Sequence, residues 1–212
     1  MKIYQILIIL ILSSNIIFSK DIKINEELIP IGFNDNHYFA YLKKGYEDGM
    51  GCFYWQSNIK NILNNKNVNS IKSSMENCLP NSDTNISKSF LKKQEILLKK
   101  YSINRPKDIN IKKFPLIIQD KNIDAKLITL NKITDESITT IKKNIILKST
   151  NKIKKIGSIH EVLFYGQPKY SNFKILGYII SHKNRDTAIL IISYKIYGDM
   201  EINSFKLFGF VL

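Results

Sequence analysis

Ile175-Leu176-Gly177-Tyr178-Ile179-Ile180-Ser181-His182 and Ala188-Ile189-Leu190-Ile191-Ile192-Ser193-Tyr194-Lys195-Ile196-Tyr197 flank the polar tip Lys183-Asn184-Arg185-Asp186. β-Branched and aromatic residues suit a pleated surface, and a polar Asn/Asp-bearing tip suits a turn, so the stretch predicts a hairpin. After it, Ser204 to Leu212 sets Phe205, Leu207, Gly209 and Val211 against Lys206, Phe208 and Phe210. That alternation predicts a terminal strand with both faces partly covered.

Working back towards the N-terminus, short β-type runs recur at Leu116–Gln119, Ala125–Leu130, Ile145–Leu147 and His160–Tyr165. Nearer the start, Leu28–Phe33 and His37–Leu42 are separated by Asn34-Asp35-Asn36, a second hairpin signal. Lys43 to Gly51, with Gly45, Gly49 and Gly51, reads as a flexible turn before an aromatic strand at Cys52–Gln56. Asn64 to Asn85 is Asn/Ser-rich and reads as a long loop. One helix is predicted, because Phe90, Leu91, Gln94, Leu97, Leu98 and Tyr101 fall on one face and Lys92, Lys93, Glu95, Lys99 and Lys100 on the other. Ser87 can cap its start, and Arg105-Pro106 ends it. The expected fold is α+β and β-rich: antiparallel sheets built from hairpins, with one substantial amphipathic helix packed on them.

The chain carries 32 Lys and Arg against 18 Asp and Glu, a formal net charge of +14. Residues 87–156 hold 18 of the basic residues and six of the acidic ones, a local +12 that invites a polyanion such as nucleic acid, anionic lipid or an acidic polymer. Only Arg105 and Arg185 are arginine, which argues against nucleic acid because bidentate phosphate sites use the planar guanidinium. A solvated lysine-rich face is the simpler reading.

Met1-Lys2 supplies a positive start, Ile3–Leu12 an apolar core, and Ser19 a small residue before Lys20-Asp21. This is the pattern of a secretory signal peptide over residues 1–19, leaving residues 20–212 as a single exported β-rich domain, periplasmic or extracellular, with no stable membrane span after cleavage. In an oxidising compartment Cys52 and Cys78, with 25 residues between them, are expected to form a disulfide. Two cysteines and the scattered His37, His160 and His182 make no metal-ligand spacing, and no nucleotide-binding glycine pattern occurs, so no cofactor is expected.

Residues 32–54 carry a resemblance: Gly32, Phe33, Tyr38, Phe39, Ala40, Gly45, Asp48, Gly49, Gly51 and Tyr54 follow the opening signature of a bacterial family described only as predicted secreted proteins of unknown function. The helix ending at Lys100-Tyr101-Ser102-Ile103 and the pattern from Leu176 to Leu212 are similar in order and spacing. The resemblance implies export and a shared fold, without a reaction. Within the signature, Glu47 and Asp48 are adjacent acids in a glycine-rich loop and form the only acid/base candidate, whereas a tight acid-tipped connection is the structural reading. No nucleophile-elbow context surrounds Ser158 or Ser193. The expectation is therefore a binding or interaction module of the cell envelope, its partner or ligand unidentified. The alternatives are a small enzyme at Glu47/Asp48 and a polyanion binder through the lysine-rich middle.

Overall fold

Thr187 through Ile192 are all buried, as a strand covered on both faces must be, which is why this stretch reads as a continuous apolar run. The computed structural model describes residues 23–47, 52–73, 86–106, 108–118, 121–149, 152–183, 186–197 and 201–211. The leader expected over residues 1–19, along with Cys78, Asp48, Gly49 and Gly51, lies outside the described residues.

In chain order the elements are β1 (Lys23–Asn25), β2 (Glu27–Phe33), β3 (Tyr38–Glu47), β4 (Cys52–Asn61), β5 (Asn67–Lys72), α1 (Lys88–Lys100), β6 (Leu116–Ile118), β7 (Lys121–Asp135), β8 (Ile138–Lys148), β9 (Ile153–Phe164), β10 (Gln167–Ile180), β11 (Thr187–Tyr197) and β12 (Glu201–Val211). They form an eight-stranded sheet, ordered β1-β12-β11-β10-β9-β8-β7-β6, and a four-stranded sheet, β2-β3-β4-β5. Neighbours are antiparallel except β1 and β12, which run parallel.

The two faces of β11 bury different partners. Ile189 and Ile191, with Ile179 of β10, pack against Phe33, Phe39, Tyr41 and Ile62 and so join the two sheets. Ala188, Leu190 and Ile192 instead share a cluster with Leu116, Ile145, Leu147 and Ile159 from the far half of their own sheet. The large sheet therefore curls over its own inner face. β9 and β10 pair only near their shared turn. Beyond it Lys112 takes the place of β9 beside Tyr178, exchanging main-chain hydrogen bonds of 2.9 and 2.8 Å, and the chain runs on into β6, which pairs with β7.

On the opposite face of the small sheet lies α1, with Phe90 against Leu42 and Trp55, and Leu97 and Leu98 against Ala40 and Ile59. The N-cap is as expected, the Phe90 amide donating to Ser87 Oγ at 3.2 Å. Three features differ from expectation. The helix has 13 residues, short rather than substantial beside two sheets. It stops at Lys100, ahead of Arg105-Pro106, because Ser102 turns into the left-handed region at φ 50° and the Tyr101 carbonyl accepts from Asn34 Nδ2 at 2.6 Å. Leu91, read onto the buried face, is exposed.

Strand extents also depart from the expectation. Residues 43–47, read as turn, continue β3, and the loop read from Asn64 contains β5. The middle strands run well beyond their apolar centres: β7 covers 15 residues where six were expected. Their outer faces carry Lys, Thr and Asn, so solvated strand resembles loop. Among the described residues no helix is long and apolar enough to cross a membrane.

Candidate functional site

The described residues among those that carry the resemblance serve architecture. Phe33 and Phe39 are buried in the inter-sheet core with ring centroids 4.7 Å apart, and Tyr38 meets Tyr101 edge-on beside α1. Gly32 lies against the main chain of Asn104, where a Cβ would overlap the carbonyl oxygen. Gly45 lies under the Tyr54 ring in the same way. The turn is shaped by Asn34, whose Oδ1 accepts from the amides of Asn36 and Tyr38, both at 2.9 Å, with His37 at φ 60°. Glu47 pairs with Cys52 across the end of β3 and β4. Cys52 is buried there, and its expected partner Cys78 lies outside the described residues. The lysine-rich middle is divided between α1, on the small sheet, and β7–β9, in the large one.

The group that sequence reasoning missed is where the two sheets part. Along β3 and β4 the face turned towards the large sheet changes from apolar, at Phe39 and Ile62, to polar, at Tyr41, Lys43, Asn58 and Lys60. A cleft of about 400 Å³ opens there, bounded opposite by Phe205 to Phe208 of β12. This lies within the range of about 300–1,000 Å³ usual for ligand sites. Its lining includes three lysines, Lys43, Lys60 and Lys206, and no carboxylate.

Only one of these ammonium groups is both buried and without a counter-charge. Lys43 Nζ lies 2.8 Å from Glu26, a buried carboxylate that also accepts from Ser204 Oγ. Lys206 holds its ammonium over the rings of Tyr194 and Phe173, 5.3 and 5.9 Å from their centroids, where desolvation pulls it below the ordinary lysine value. Lys60 is 6% exposed and donates to the Asn65 carbonyl at 2.6 Å, and no carboxylate among the described residues lies within ion-pair reach. Burial drags its pKa down to about 8, since a charge taken out of water is disfavoured. Beside it Asn58 is 1% exposed, with Oδ1 lacking a hydrogen-bond partner. Tyr41 OH reaches Asn67 Oδ1 at 3.4 Å, and burial raises its pKa against that bond. The cleft thus offers a cation without an anion and an acceptor without a donor, which suits recognition of an anionic ligand carrying N–H or O–H groups.

One end of the cleft is fixed by Asn65, held in the left-handed region at φ 61°. Its Nδ2 donates to the Gly209 carbonyl at 3.0 Å and its Oδ1 accepts from the Gly209 amide at 2.5 Å, so the side chain mimics a strand neighbour of β12. Asn65→Ala should cost roughly 2 kcal/mol through two lost hydrogen bonds, while Asn65→Asp, which keeps one acceptor, should cost about half as much. Urea melts of the two variants check this ordering.

A larger depression of about 780 Å³ lies where α1 ends beside the β2–β3 turn. It is wide open, its lining carries Glu95 and Asp35 as well as Lys99 and Arg105, and the polar atoms of Asn34 are already engaged. The inter-sheet cleft is therefore the stronger candidate. Comparison of the chain with family models, with curated proteins and with solved structures finds no match.

Proposed function

We propose that this chain is an exported binding module of the cell envelope that takes an anionic ligand into the cleft between its two sheets. The observation that supports the reading is Lys60: a nearly fully buried ammonium with a single carbonyl partner, next to the unpartnered Asn58 Oδ1. A buried, uncompensated charge destabilises the fold, and such groups concentrate where a ligand supplies the missing partner. Export rests on the leader pattern of residues 1–19 and on the resemblance to a secreted family. A Cys52–Cys78 bridge belongs to the same proposal, since the oxidising compartment would maintain it.

Calorimetric titration with a capped pentaglutamate peptide tests the reading. Lys60→Gln should weaken binding by roughly tenfold or more, because a charge-assisted hydrogen bond is lost. The paired Lys92→Glu/Lys93→Glu variant on the exposed face of α1 should bind as the parent does. If the helix variant loses binding and Lys60→Gln keeps it, the anion site is the lysine-rich middle and the cleft reading fails. Retained binding in both variants would also overturn it.

A further inference from the structure

The cleft follows an edge of a sheet. Its lining takes in Phe205, Lys206, Leu207 and Phe208, four consecutive residues whose side chains alternate between the two faces of β12, so the space runs alongside the strand. β12 has β11 on one side and, on the other, only β1, whose pairing ends at Asn25 with Asn203. There the chain leaves the large sheet through Glu26 to begin β2, and the next group on this edge is Asn65 at Gly209.

The phase of the open stretch follows from its ends. The Asn203 carbonyl accepts from the Glu26 amide at 2.9 Å, Gly209 bonds Asn65 through both main-chain groups, and the Val211 carbonyl accepts from Lys154 Nζ at 2.5 Å. Residues 203, 209 and 211 thus all turn their main chain to the open side. The β11–β12 ladder is free of bulges from Val211 to Glu201, so Phe205 and Leu207 share that phase. Their N–H and C=O groups face the cleft with no main-chain partner among the described residues. The gap from Asn203 to Gly209 admits a strand of about three to five residues at roughly 3.3 Å each.

We propose that the occupant is a short acidic peptide segment, bound extended, whose main chain pairs with Phe205 and Leu207 of β12 while a side-chain carboxylate meets Lys60 and a ligand N–H meets Asn58 Oδ1. This rests on the anion-binding reading of the same cleft and adds the class of ligand. Exposed strand edges are ready templates for such addition: the main-chain bonds give affinity, and the side-chain contacts give specificity. The uncompensated Lys60 ammonium, the absence of lining carboxylates and the unpartnered acceptor complement an acidic peptide in charge and in hydrogen bonding.

Three probes separate the components: capped pentaglutamate, the same peptide N-methylated at alternate amides in each phase, and glutarate. Pentaglutamate should slow amide exchange at Phe205 and Leu207 at least tenfold by NMR, and at least one N-methylated phase should bind tenfold more weakly or worse. If both methylated peptides bind as well as the parent, or glutarate binds as well as the peptide, and affinity still depends on Lys60, strand pairing is overturned and the anion site stands. If none of the three binds, the anion-binding reading itself falls.

Discussion

Gly32→Ala is expected to lower the stability of the fold by roughly 3 kcal/mol or more, read as an earlier midpoint of urea unfolding with an unchanged slope. The added Cβ would overlap the carbonyl oxygen of Asn104 and crowd Ile103. Both contacts are with the segment that leaves α1 and recrosses β2, where the Asn104 amide donates to the Phe33 carbonyl at 3.1 Å. A flexible side chain could swing aside, but a main-chain carbonyl cannot, so the segment must lift. Lifting it removes that hydrogen bond and loosens Tyr101 and Ile103, which pack on Ala40 and Ile59. The same experiment separates two views of the signature, because a ligand-binding glycine would cost binding while leaving the melt in place. The architectural view requires the reverse: affinity for pentaglutamate per folded molecule is retained and the melt shifts.

Lys60→Met should instead stabilise the protein at neutral pH. A lysine whose pKa falls from 10.5 to about 8 on folding is destabilising by roughly 3 kcal/mol wherever both states would carry the proton. Methionine removes that penalty and forfeits the bond to the Asn65 carbonyl, worth about 1 kcal/mol. The net gain of about 2 kcal/mol corresponds to a rise in Tm of roughly 4–8 °C for a chain of this size. The sign with pH follows from the direction of the shift. Between about 8 and 10.5 the unfolded chain holds this proton and the folded one releases it, so this residue makes parent stability rise with pH in that window. The variant should lack that rise. Gain of stability with loss of peptide binding is the signature of a charge kept for a ligand. A variant that is destabilised at pH 7 would show that Lys60 is a structural group.

What could be read from residues depended on how each strand is covered. β11 was legible because Ala188 to Ile192 are apolar on both faces, and β12 because Phe205 to Phe210 alternate without interruption. α1 was legible from its stripe and its Ser87 cap, although its end was not, since the side chain that fixes it, Asn34, comes from a turn 67 positions away. β5 was hidden because Asn67, Asn69 and Ser70 carry the composition of a loop and only pairing with β4 orders them. β7 and β8 were truncated for a related reason: Thr134, Thr139 and Lys142 face outward or lie near the turn, where nothing demands an apolar residue.

The candidate site was the least legible part. Alternation along Asn58-Ile59-Lys60-Asn61 places Lys60 on the face opposite Ile59, but it cannot say that a second sheet covers the Lys60 face. A lysine on such a face is indistinguishable in sequence from a solvated one. The signal that drew notice, the concentration of lysine over residues 87–156, is divided between α1, on the small sheet, and β7–β9 of the large one, and excludes all three lysines of the cleft. Likewise the glycines of the signature stand out in sequence, yet Gly32 and Gly45 mark where chain and ring pass close to main chain.

The most direct test of the anion site is an NMR titration of the Lys60 ammonium, through its side-chain ¹³Cε resonance, in the free protein and with saturating pentaglutamate. A midpoint near 8 is expected in the free protein, rising by about one unit or more when a carboxylate supplies the missing counter-charge. A midpoint at the ordinary lysine value, unmoved by the peptide, would contradict the anion site.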